Sequence, residues 1–255
     1  MAFHFKMNEP IKRPAKWRRW ALVSWLLLWP LLAALHWYPI RDAYSRLGLL
    51  VTLLLIGIGA LCLFWKVRAM RGFCVVLVLL FLAAFLAPGR NVNARQMQQD
   101  YVNALRAYTN TPYVWGGENH RGIDCSGLLR AALIDANWKH GLLTTNPRLL
   151  RRAFEIWWHD SSAQALGNEY RGWTKILFST PSLNSVDYSR LQPGDIAVTE
   201  GGAHCLAYLG DKTWIEADPN ALVGDKVIQV KAPSKNAWFS QPMRILRWRQ
   251  FADKP

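Results

Sequence analysis

Cys125 stands where a glycine-rich run gives way to an apolar helical pattern. Tyr113-Val114-Trp115-Gly116-Gly117 and Gly122-Ile123-Asp124 precede it, and Ser126-Gly127-Leu128 follow. A thiol acts as a nucleophile only as the thiolate, a form favoured by a helix N-terminus and by a nearby histidine. Cys125 has the first of these by sequence, because Asp124 or Cys125 falls at the cap of the predicted helix. Unpaired N–H groups in such a first turn also stabilise an oxyanion. His204, which opens His204-Cys205-Leu206-Ala207-Tyr208-Leu209-Gly210, reaches Cys125 only through folding. The other histidines are worse placed. His4 is in the N-terminal tail, His36 in an apolar span, His120 in the loop before Cys125, and His140 and His159 in an insert.

The bland reading of Cys125 is a small buried hydrophobe, and the flanking glycines with an available histidine weigh against it. Cys125, His204 and Cys205 lack the close ligand pairs of a structural zinc site, and the chemistry requires no metal or organic cofactor. On a regular strand Cys205 points opposite to His204 and reads as packing. Cys62 and Cys74 lie in or beside apolar spans, so no disulfide framework is evident.

The elements that must position these residues follow from periodicity. Met97, Tyr101, Leu105 and Tyr108 recur at helical spacing and predict a helix over 94–109, which Asn110-Thr111-Pro112 ends. A second helix is expected from Ser126 to Trp138 and a third from Leu149 to Trp158. Residues 160–172 are ambiguous and 179–190 read as a polar loop; the stretch 139–190 is expected to cap the cleft or form its wall. After Pro193-Gly194 the period changes, and 195–199, 203–209, 213–217 and 227–230 read as short strands, with a last one over 243–251. Helices followed by an antiparallel sheet make an α+β layout. The roughly 165 residues from 92 to 255 suffice for one such domain.

Residues 1–91 are different in kind and read as a membrane anchor. Trp20–Tyr38 and Leu47–Trp65 are uncharged stretches of 19 residues each, and Gly72–Ala87 is a third of 16. A spanning helix needs about 20 apolar residues, which predicts transmembrane helices over about 20–38, 47–65 and 72–88. The third is the shortest, and it decides on which side the domain lies. Trp20, Trp37, Tyr38 and Trp65 sit near span ends, as an aromatic belt places them. The 12 lysines and arginines before residue 92 face two acids, whereas the rest of the chain has 19 against 15. The basic excess therefore belongs to the anchor and argues against a nucleic-acid partner. Arg148, Arg151 and Arg152, and Arg244, Arg247 and Arg249, read as solvated faces. Lys6, Lys12, Arg13, Lys16, Arg18 and Arg19 in the tail, with Lys66, Arg68 and Arg71 in the second loop, favour a cytoplasmic position for both. Three spans then put the domain outside.

The chain resembles the NlpC family of papain-like cell-wall cysteine peptidases over about residues 98–250. Pro112 to Gly117 with Asp124-Cys125-Ser126-Gly127-Leu128 carries the first part of the match. Leu191-Gln192-Pro193-Gly194-Asp195-Ile196 followed by His204 to Gly210 carries the second. The resemblance implies a papain-like domain with Cys125 as nucleophile and His204 as general base. It further implies that Tyr113 hydrogen-bonds near the nucleophile and helps the oxyanion site. The family's third position is commonly His, sometimes Asn or Gln; here the register gives Glu216, with Asp218 on the same strand face as a second candidate. A carboxylate can orient an imidazole and stabilise its charged form. The implied activity is hydrolysis of an amide in peptidoglycan stem peptides, typically between D-glutamate and the diamino acid. The implied location is the bacterial cytoplasmic membrane, with the domain on the periplasmic or extracytoplasmic side. An acyltransferase or lipid amidase on the same scaffold, or an inactive wall-binding protein, are the competing readings. Protein partners are not indicated.

Overall fold

Three long apolar helices lead into a layered α+β domain. The structure, a computed structural model, describes residues 16–220 and 224–252. The tail charges Lys6, Lys12 and Arg13 lie outside the described residues. The helices α1 (Lys16–Trp37), α2 (Ala43–Phe64) and α3 (Arg68–Leu86) are each long and apolar enough to cross a membrane. Each begins about four residues before its predicted span. The prediction stopped at charges, but Lys and Arg are good helix formers and continue a helix into the interface. Antiparallel α1 and α2 are joined by Trp25 Nε1 donating to the Ile56 carbonyl at 2.9 Å. A Cβ at Gly59 would run into the Trp25 ring, so glycine permits this approach.

The domain begins with α4 (Ala94–Ala107), then a small hairpin of β1 (Glu118–Asn119) and β2 (Gly122–Ile123), then α5 (Cys125–Leu143), α6 (Pro147–Trp158) and α7 (Ala163–Gly167). Six strands follow: β3 (Thr174–Thr180), β4 (Ile196–Thr199), β5 (Cys205–Gly210), β6 (Thr213–Asp218), β7 (Lys226–Lys231) and β8 (Met243–Trp248), and then α8 (Arg249–Ala252). They form one antiparallel sheet in the order β3-β8-β4-β5-β6-β7. Side chains alternate across it. Cys205, Ala207 and Ile215 join Met97, Leu105, Leu128 and Leu129 of α4 and α5 in the main core. Leu206, Tyr208 and Trp214 join Phe239 on the opposite face.

Four expectations need correction. First, β3 forms where the sequence showed no strand. It is an edge strand whose pairing with β8 slips between Ile176 and Phe178, so its burial does not alternate. Second, the final strand stops at Trp248, because Arg249 to Ala252 turns helical. Third, the arginine clusters are not simply solvated. Arg247 holds the fully buried Asp195 through Nε at 2.7 Å and Nη2 at 2.8 Å. Arg244 donates to the Gly167 and Glu200 carbonyls, and Arg151 to those of Ala84, Phe85 and Ala87. Fourth, most of 139–190 is not a cap: α6 packs on α5 and α3, and β3 lies at the sheet edge away from β5 and β6. Only α7 approaches the turn before His204, with Gln164 against Gly202.

Candidate active site

Cys125 is the first residue of α5, and Asp124 caps the helix. The Asp124 side chain accepts from Gly127 N at 2.6 Å and from Ser126 Oγ at 3.0 Å, and its second oxygen accepts from Gly116 N at 2.8 Å. One carboxylate thus closes the helix end and fastens the glycine-rich loop to it. Gly116 has φ +72, a left-handed conformation that favours glycine. A Cβ at Gly127 would strike the Gly117 carbonyl oxygen. These glycines let the loop lie directly on the first turn that carries the thiol.

His204 sits one residue before β5, tied to β4 by His204 N donating to Thr199 Oγ1 at 3.0 Å. Its Nε2 lies 2.7 Å from Glu216 Oε2, and the ring stacks on Trp238 with centroids 4.2 Å apart. His204 and Glu216 are both buried, Glu216 completely. Glu216 Oε1 accepts from Asn236 Nδ2 at 2.8 Å, and the same amide reaches Asp218 Oδ2 at 3.2 Å. Of the two carboxylates, Glu216 therefore meets the imidazole and Asp218 meets Asn236. With Nε2 committed to Glu216, the other ring nitrogen is the one left for the Cys125 thiol, which interacts electrostatically with His204.

Electrostatics follow from these contacts. Hydrogen bonding from the Cys205 thiol, opposed by burial and reinforced by His204, brings the Cys125 thiol down to about 5. Burial pushes His204 down, but Cys125 and Glu216 outweigh it and raise the ring to about 9. Burial pushes the Cys205 thiol well up, so it remains a donor, and burial likewise raises the Glu216 carboxyl. The arrangement favours a thiolate beside an imidazolium. The β5 strand turns Cys205 away from His204 into the main core, which Cys125 also joins.

Tyr113 is half-buried against the main core. Burial, then the neighbouring Cys125 and Asp124, raise its hydroxyl. Sequence reasoning missed Trp238 and Asn236. Trp238 and Asn236 lie in a loop more than 30 residues after His204, where no periodicity marks them.

The α1–α2 connection braces the same loop. Arg41 N donates to the Gly116 carbonyl at 3.0 Å, Glu118 N to that of Pro39 at 3.1 Å, and Asn119 Nδ2 to that of Tyr38 at 2.9 Å. Arg46, at the start of α2, meets Glu118 at 2.9 Å, and Arg130 of α5 meets it at 3.1 Å. All three side chains are buried, and Asp160 adds a 2.7 Å contact to Arg130.

The family model described as the NlpC/P60 family matches residues 110–247, a span that includes Tyr113, Cys125, His204, Glu216 and Asn236 but not the α1–α2 connection. Among solved structures the chain is similar to an NlpC/P60 family protein from Bacillus cereus, at 18% identity and a TM-score of 0.37, covering 63% of this chain and 41% of that one. It is similar to NlpC2 from Trichomonas vaginalis, at 19% identity and 0.40, covering 62% and 48%. It is also similar to the NlpC/p60 domain of the peptidoglycan hydrolase SagA, at 22% identity and 0.34, covering 60% and 98%. The chain thus spans less than half the length of the first two. A comparison with curated proteins returned no match.

Proposed function

The chain belongs to the NlpC/P60 family, and on that footing we propose that it is a membrane-anchored cysteine peptidase or amidase that hydrolyses amide bonds in peptidoglycan stem peptides. The observation that carries this reading is the imidazole of His204 held at 2.7 Å by Glu216, with the Cys125 thiol at the start of α5 drawn down by that imidazole and its neighbours. The Cys125 thiolate attacks the amide carbonyl. First-turn N–H groups of α5, with Tyr113, hold the oxyanion. Protonated His204 gives its proton to the leaving amine, and the neutral ring then takes one from the water that releases the acyl-enzyme. Glu216 fixes the ring and stabilises its charge.

The domain lies on the extracytoplasmic face in this reading. Its contacts with residues 38–46 support that, because with α2 spanning, the α1–α2 loop and the domain share a side only if α3 spans as well. Lys16, Arg18 and Arg19, with Lys66, Arg68 and Arg71, lie at the opposite helix ends and favour the cytoplasm there. Arg41 and Arg46 on the domain side are buried in the contacts described.

Purified soluble muropeptides are to be incubated with the full-length protein and with Cys125→Ala. Loss of the cleavage products in the variant is expected, and equal products from both would overturn the assignment. A reporter active only outside the cytoplasm, fused after residue 255, is expected to be active; an inactive but intact fusion would overturn the topology.

A further inference from the structure

A cavity of about 610 Å³ lies between the start of α4, α6 and α8 and shares no lining residue with the Cys125 site. That volume is within the roughly 300–1,000 Å³ of small-molecule sites. Its lining includes Arg148, Arg151, Arg152 and Arg249 against a single acid, Glu155. Glu155 is already engaged by Arg152 at 3.0 Å and by Trp173 Nε1 at 3.4 Å. Arg249 has its nearest carboxylate, Glu169, at 3.9 Å. The Arg148 side chain makes no hydrogen bond or ion pair among the described residues. Positive charge is therefore left over around a concave, water-accessible space, and guanidinium forks match phosphate oxygens.

The cavity is fixed at the end of a membrane helix. Arg151 donates to three carbonyls in the last turn of α3 and just beyond it. Asn146, the cap of α6, exchanges hydrogen bonds with both the N–H and the carbonyl of Arg90. These bonds clamp the α3–α4 linker to α6 with the cavity already formed. On α6, Arg148, Arg152 and Glu155 recur at four- and three-residue spacing and face the cavity. Phe154, Trp157 and Trp158 form an adjoining aromatic stripe that meets Phe85 of α3. A helix that carries arginines on one stripe and aromatics on the next, docked at the end of a span, sits at the headgroup level of a bilayer.

We propose that this arginine-lined cavity binds the phosphate of an anionic phospholipid headgroup in the leaflet that the domain faces. The acyl chains of that lipid lie along α3 beside Phe85 and Phe154. This site is independent of the catalytic reading and needs only that α3 spans.

The test uses the full-length protein in neutral detergent, titrated with phosphatidylglycerol, with phosphatidylcholine of the same chains and with inorganic phosphate. Native mass spectrometry and tryptophan fluorescence give the affinities. Phosphatidylglycerol is expected to bind at least about tenfold more tightly than phosphatidylcholine. The double substitution Arg148→Gln/Arg249→Gln is expected to weaken it about 30-fold, from about fivefold for each arginine near an anionic surface. Lys231→Gln, which removes one exposed charge on β7 at the opposite edge of the sheet, serves as the comparison and is expected to bind like the wild type. Equal binding of the two lipids, or a double variant that binds like the wild type, overturns the proposal. So does equal loss in Lys231→Gln. Inorganic phosphate as tight as the lipid makes this a free-anion site and overturns the lipid assignment. Should the double variant lose its near-ultraviolet circular dichroism, the wild-type lipid preference and the phosphate competition decide the matter alone.

Discussion

Replacing Glu216 by Gln tests the site most directly, because the carboxylate does two things at once. Its Oε2 accepts from His204 at 2.7 Å and its Oε1 accepts from Asn236 at 2.8 Å. Glutamine offers one acceptor in place of two, so either His204 or Asn236 is left facing an NH₂ group. The hydrogen bond lost to the imidazolium is charge-assisted, worth about 1.5–3 kcal/mol. At 1.36 kcal/mol per pKa unit this lowers His204 by about one to two units. The wild-type ring titrates at about 9 and the thiol at about 5. Hydrolysis should accordingly be flat between those values, falling below about 5 as the thiolate is protonated. It should fall again above about 9 as the ring loses the proton that the leaving amine needs. In Glu216→Gln the upper limb moves down toward about 7–8 while the lower limb rises slightly, because the thiolate loses part of its imidazolium partner. At pH 8, the fraction of imidazolium alone lowers the rate up to about tenfold, and misorientation lowers it further. The assay is kcat/KM on a soluble muropeptide from pH 4 to 10, with Asp218→Asn in parallel. An upper limb unmoved in Glu216→Gln, or moved further in Asp218→Asn, would refute the reasoning.

Three other outcomes follow from the packing. Cys205→Val removes the neighbouring thiol that helps hold the Cys125 thiol low, so iodoacetamide should alkylate Cys125 several-fold more slowly at pH 6, with little change at pH 9. Mass mapping should show no alkylation of Cys205 in the folded wild type, where it is fully buried. Gly127→Ala drives a methyl group into the Gly117 carbonyl; overpacking of this kind costs about 1–3 kcal/mol, visible as a lower Tm together with lost hydrolysis. Arg247→Met strands the buried carboxylate of Asp195, a loss of about 3–5 kcal/mol that denaturant unfolding would register.

The sequence by itself determined the three apolar helices, the α+β order and the helix that begins at Cys125. Each rests on short-range physics: a run of apolar residues, a change of period from about four to two, and a cap next to glycines that permit a close turn. It also placed His204 at the start of β5, and register put Glu216 and Asp218 on one strand face. Which carboxylate meets the ring was decided only in three dimensions, because Asn236 arrives from a loop beyond β7, bridges the two and leaves Glu216 Oε2 for the ring. That Cys205 and Cys125 share one core is equally tertiary, since it depends on where the first turn of α5 ends against β5. The edge strand β3 left no periodic trace, having only one neighbour and a slipped register. Nor could charge counting foresee that Arg46 and Arg151 would be drawn into the join between the membrane helices and the domain. A guanidinium looks the same in sequence whether it faces water, a buried glutamate or the last carbonyls of a helix. Only the packing of distant segments removes the water and chooses among them.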